Sequence, residues 1–156
     1  MLTQGNKAPI DIKIKNIKGE DVTLKDYLTS KYLIVYFYPK DDTPACTTEA
    51  CELRDYNSEL KNLGAEIVRI SKDNIRSHNR FKDKHLLNFD LLSDPNHELQ
   101  EAFGVLGEKK FMGRTFVGTL RTTFLLDSNG TVLKVWEDVK AKGHAKEIYN
   151  FITELS

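Results

Sequence analysis

Two cysteines, Cys46 and Cys51, are the side chains of this sequence best suited to nucleophilic or redox chemistry. Their Cys-x-x-x-x-Cys spacing is neither the Cys-x-x-Cys of a dithiol oxidoreductase nor a zinc knuckle. Just before them, Thr43-Pro44 reads as a helix opening, because a threonine oxygen can accept an orphan N–H and proline fits the first helical position. Cys46 then falls in the first helical turn. Unpaired N–H groups and the positive end of the helix dipole favour a thiolate there, so Cys46 is expected to be partly ionised at neutral pH. The alternative is an inert core cysteine, and position alone leaves both open.

Histidines offer less. His78, His85, His97 and His144 share no ligand spacing, so neither a metal nor another cofactor is expected. His78 and His85 read as solvated positions, His144 as part of a helix start, and Trp136 as core or rim.

The elements that must position the cysteines follow from the patterning. Tyr32–Tyr38 is apolar on both faces and rich in β-branched and aromatic residues, as expected of a central strand, and it stops at Pro39. A helix follows over Thr47–Leu63, with Leu53, Tyr56, Leu60 and Leu63 on one stripe and Gly64 beyond it. Strands are expected at Ala65–Ser71, Phe89–Leu92, Gly118–Asp127 and Thr131–Glu137. Helices are expected at Asn74–His85, at Pro95–Phe103 opened by Ser93 or Asp94, and at Gly143–Leu155. Ile10, Ile12 and Ile14 with Val22-Thr23-Leu24 suggest an N-terminal β-hairpin at the sheet edge, and Glu108–Arg114 reads as a solvated loop. Strand, helix, strand first and hairpin plus helix last is the order of a thioredoxin-like α/β fold, a central mixed sheet flanked by helices. The 156 residues suit one domain, with no repeat or linker.

Charge narrows the partners. Lys plus Arg and Asp plus Glu are 23 each, a net charge of +0, which argues against nucleic acid or an anionic membrane as partner. No apolar run approaches the roughly 20 residues of a membrane span, and the first residues lack a signal-peptide pattern, so a cytoplasmic protein is expected. Thiols are kept reduced in that compartment.

The residues around Cys46 resemble a family. Pro39, Thr43 and Cys46 match the Pro-x-x-x-Thr-x-x-Cys signature of peroxiredoxins. Phe37-Tyr38-Pro39-Lys40-Asp41 and Cys46-Thr47-Thr48-Glu49-Ala50-Cys51 look like the peroxiredoxin Q branch, also called bacterioferritin comigratory protein. The similarity continues through Arg121–Asp127 and Val139–His144. Ala45 departs from the glycine common in the branch, which slightly narrows backbone freedom.

The resemblance implies a thiol peroxidase acting on hydrogen peroxide and organic hydroperoxides. In it, Cys46 attacks the peroxide, while the Thr43 hydroxyl and the Cys46 N–H orient it. Pro39 shields the thiolate, Arg121 supplies a fixed cation, and Glu49 holds Arg121. Cys51 is then the resolving thiol, closing an intramolecular disulfide that a thioredoxin reduces, and a monomer is expected. In an intact helix with a rise of about 1.5 Å per residue and a radius of about 2.3 Å, the two Cα atoms stand roughly 8.6 Å apart. A disulfide needs less than about 7 Å, so oxidation is expected to unwind the turn between them. The competing readings are a protein disulfide oxidoreductase, which the spacing and the preceding proline and threonine disfavour, and a peroxide-sensing binding protein.

Overall fold

The computed structural model describes residues 1–140 and 142–155. Three consecutive strands, β3 (Tyr32–Phe37), β4 (Ala65–Ser71) and β5 (Asp90–Ser93), run parallel, and the helices α1 (Pro44–Asn62) and α2 (Ile75–His85) make the crossovers between them. Two C-terminal strands continue the sheet, β8 (Thr122–Asp127) antiparallel to β3 and β9 (Val132–Trp136) antiparallel to β8, and α4 (His144–Leu155) follows them. The short hairpin β1 (Ile14–Lys15) and β2 (Asp21–Val22) closes the opposite edge against β5. The strand order is β2-β1-β5-β4-β3-β8-β9.

The two-residue period of a strand explains the two cores. Ile34, Tyr36 and Ile67 turn to one face, under Leu53 and Leu60 of α1 and Ile148 and Ile152 of α4. Leu33, Val35, Phe37, Val68 and Ile70 turn to the other, where they meet Phe124 and, from α3 (Glu98–Phe103), Leu99 and Phe103. All five of these β3 residues have no exposed surface, which is why the strand reads as one unbroken apolar run.

Several expectations need correction. The stretch Glu108–Arg114 is not a loop: β6 (Leu106–Phe111) and β7 (Arg114–Thr119) pair as a hairpin separate from the main sheet. Its turn residues Met112 and Gly113 both have positive φ, 51° and 78°, the conformation a two-residue hairpin turn requires. The single strand expected over Gly118–Asp127 is broken at Leu120 and Arg121 into the ends of β7 and β8. The helix carrying the cysteines begins at Pro44, three residues earlier than its apolar stripe suggests, because the proline itself is the first helical residue. His78 is fully buried, not solvated, since it faces the sheet from α2 along with Phe81.

Candidate active site

Strand pairing explains how distant residues meet. Phe37, the last residue of β3, pairs with Thr122, the first of β8. Arg121, immediately before Thr122, is thereby delivered to the end of β3 where the chain turns into α1. There α1 presents the Glu49 carboxylate, and Arg121 Nη1 donates to Glu49 Oε1 at 2.9 Å. The expected Glu49–Arg121 contact is therefore present.

Cys46 and Cys51 both lie within α1 as free thiols, the first buried and the second half-buried. Pro44 and Ala45 precede Cys46 in the first turn, where backbone N–H groups lack intrahelical partners. Thr43 is the N-cap residue, with extended backbone at φ −86° and ψ 153°. Its hydroxyl does not cap the helix as expected. It turns back and donates to the Lys40 carbonyl at 3.2 Å, which leaves the hydroxyl oxygen available as an acceptor.

The turn before α1 is fixed by a buried carboxylate that sequence reasoning missed. The Asp41 N–H donates to Asp73 Oδ2 at 2.8 Å, and Asp41 Oδ2 accepts from Ser77 Oγ at 2.8 Å and meets His78 Nδ1 at 2.7 Å. Tyr38 donates its hydroxyl to Asp41 Oδ1. Burial alone would push the Asp41 carboxyl up, but the contacts from His78, Tyr38 and Ser77 outweigh it and hold it below the ordinary carboxylate range. The peptide carrying Pro39 and Thr43 is thus tied to α2 by charge-assisted bonds.

Glu49 behaves in the opposite way. Burial raises its carboxyl above the ordinary value, and neither Arg69 nor Arg121 fully offsets the lost hydration. Arg69 is the second residue that sequence reasoning missed. It lies on β4 with no exposed surface, donates from Nη1 to the Cys46 carbonyl at 3.4 Å, and places Nη2 3.8 Å from Glu49 Oε2. Lys109 of β6 is the third. It lines a hollow of about 400 Å³ with Arg121, Leu120 and Thr122, and a smaller one with Pro39, His97 and Phe116. Burial and the Arg121 charge push its ammonium down, partly countered by Cys46. The helix start that carries the Cys46 thiol thus also holds a buried carboxylate paired with two guanidiniums, with an ammonium near enough to feel the Cys46 charge, groups of the kinds that attack an electrophile and stabilise a departing anion.

The AhpC/TSA family matches residues 4–135. Peroxiredoxin Bcp of Bacillus subtilis is 45% identical over 152 residues, 97% of this chain and 96% of that protein. Peroxiredoxin Bcp of Escherichia coli is 44% identical over 153 residues, 98% and 97% of the two chains. Among solved structures, Xanthomonas campestris peroxiredoxin Q superposes with a TM-score of 0.86 at 36% identity, covering 93% of this chain and 91% of that one. The chain belongs to the AhpC/TSA peroxiredoxins. Within them it falls in the peroxiredoxin Q or Bcp branch, with the thioredoxin-like fold of its structural neighbours. This peroxiredoxin is an enzyme, a thiol peroxidase. Structures of the Xanthomonas campestris bacterioferritin comigratory protein, 35% identical, address that protein's alkyl peroxide reduction.

Proposed function

We propose that Cys46 is the peroxidatic residue and that the enzyme reduces hydrogen peroxide and small organic hydroperoxides. The Cys46 thiolate attacks one peroxide oxygen, the O–O bond breaks, and the electron pair leaves on the alkoxide or hydroxide, which takes up a proton. Cys46 is then a sulfenic acid. The acceptor oxygen of Thr43 and the free N–H groups of the first turn orient the peroxide, Pro39 shields the thiolate, and Arg121, held by Glu49, stabilises the leaving oxygen. The Cys51 thiol next attacks the Cys46 sulfur, expelling water and forming a disulfide, which a dithiol reductant of the thioredoxin kind returns to two thiols.

The observation that carries this reading is the seating of both thiols in one helix, the first at its N-terminal turn beside the Glu49–Arg121 pair. The reading extends to a monomer working in the cytoplasm, where such reductants are available. No helix among the described residues is long and apolar enough to cross a membrane.

Peroxide consumption coupled to thioredoxin and its reductase tests the proposal. Wild-type enzyme is expected to turn over many times, and Cys46→Ser to consume no peroxide. Stoichiometric oxidation without turnover would favour a sensor, and activity retained in Cys46→Ser would exclude the assigned nucleophile.

A further inference from the structure

Arg69 is a buried charge in the middle of a parallel strand. It pairs with Tyr36 of β3 on one side and Leu91 of β5 on the other, and its side chain has no exposed surface. Its guanidinium carbon sits 4.7 Å from the ring centre of Tyr36 and 4.0 Å from that of Tyr38. Among the described residues, its hydrogen-bond acceptor is the Cys46 carbonyl and its anionic partner is Glu49. Arg69 Nε and Nη2 and Glu49 Oε2 make no hydrogen bond, so the ion pair supplies the charge compensation that the Cys46 carbonyl and the two rings do not.

Both partners belong to the Cys46–Cys51 segment. We propose that Arg69 is a positioning residue that latches the start of α1 in its closed, thiol form and makes the Cys46–Cys51 disulfide easier to reduce. This inference rests on the disulfide of the proposed function. Closing that disulfide requires the turn between the cysteines to unwind, which carries Glu49 and the Cys46 carbonyl away from β4. Arg121 is 24% exposed and regains water when Glu49 departs. Arg69 is held in the sheet and cannot follow its partners or reach solvent. The oxidised enzyme therefore contains a buried guanidinium with its carboxylate withdrawn, whereas the reduced enzyme contains the pair. That difference enters the thiol–disulfide equilibrium directly.

The test is equilibration of the enzyme with defined ratios of reduced and oxidised dithiothreitol, with the Cys46–Cys51 linkage identified by peptide mapping. Replacing a buried ion by an apolar group of similar length is commonly tolerated, so Arg69→Met is the first variant. It is expected to shift the equilibrium about tenfold toward the disulfide, a potential about 30 mV more negative, while Arg69→Lys stays near the wild-type value. If Arg69→Met does not fold, Glu49→Gln in an Arg121→Ala background removes the anionic partner of Arg69 and is expected to shift in the same direction. A mapped linkage with an unchanged potential in whichever variant folds overturns the latch and leaves the disulfide mechanism standing. Absence of the linkage in the oxidised wild-type enzyme overturns both.

Discussion

Arg121 and Glu49, seventy-two positions apart, meet through a 2.9 Å hydrogen bond in which the carboxylate is almost wholly buried and the guanidinium is partly open to solvent. The carboxylate thereby fixes one edge of the guanidinium fork, and the proposed mechanism assigns the remaining donors to the leaving oxygen. Arg121→Ala is expected to slow oxidation of Cys46 by hydrogen peroxide about 10²- to 10³-fold, the usual cost of losing such a donor. Arg121→Lys should recover only part of the rate, because an ammonium lacks the planar fork. Stopped-flow measurement of the first oxidation decides it; a wild-type rate in Arg121→Ala removes the residue from the chemistry.

Cys51→Ser should separate the two halves of the cycle. The first oxidation is expected to proceed at close to the wild-type rate, because Cys51 lies more than a full turn beyond Cys46 in α1. Turnover with thioredoxin should then stop, with the sulfenic acid on Cys46 trapped by dimedone and seen by mass spectrometry. Sustained thioredoxin-linked turnover in this variant would refute Cys51 as the resolving thiol.

Oxidation should loosen a short segment and spare the rest. Amides between Cys46 and Leu53 are expected to exchange faster in the disulfide form, whereas Leu33–Phe37, paired on both sides by β4 and β8, should keep their protection. The lower half of α1 should hold, since Leu53 and Leu60 are buried against the sheet. Equal protection of 46–53 in both redox states, read by hydrogen exchange, would contradict an unwinding step.

His144 gives a pH dependence of known sign. Burial pushes its imidazole below the ordinary value of 6.5, and the contact with Glu147 does not make up the difference. The unfolded chain therefore binds a proton that the folded chain resists, so this contribution to stability is complete above pH 6.5 and is lost as pH falls below it. In His144→Gln the site cannot titrate. The stability gap between wild type and variant should narrow as denaturation is repeated from about pH 7.5 down to about pH 5.5. A constant gap would mean that His144 has the same proton affinity folded and unfolded. The buried contact of His144 Nε2 with Thr123 Oγ1 at 2.7 Å is the geometry behind this expectation.

How much of this was legible in the sequence differs by residue. The strand Ala65–Ser71 has the expected bounds, and the helix of the cysteines differs by three residues at its start and one at its end, because apolar periodicity and Pro44 act locally. Arg69 lies inside that correctly read strand, and its signal was present: a single cation flanked by Val68 and Ile70 has no solvent to face in a central strand. Its partners come from α1 and β3, so nothing near it in sequence names them. Lys109 was hidden because both strands of its hairpin mix charged and apolar residues over largely exposed surface, which blurs the alternation that marks a half-buried strand. His78 was misread because α2 is rich in charge; the apolar partner that reveals its inward face, Phe81, stands one turn later. Thr43 was placed correctly as the N-cap residue, while the direction of its hydroxyl depended on a turn held by Asp41, Asp73 and His78.

The pairing of β3 with β8 also dictates when Glu49 can meet Arg121. During synthesis, Cys46 and the whole of α1 leave the ribosome well before the stretch Arg121–Asp127. Until that stretch arrives, one side of β3 has no neighbour and Glu49 has no contact with Arg121. The nascent chain thus carries Cys46 before the Glu49–Arg121 pair exists, and β8, the strand that begins directly after Arg121, closes the open side of β3. The Glu49–Arg121 contact and the second neighbour of β3 are thus gained in one step, before β9 and α4 complete the fold.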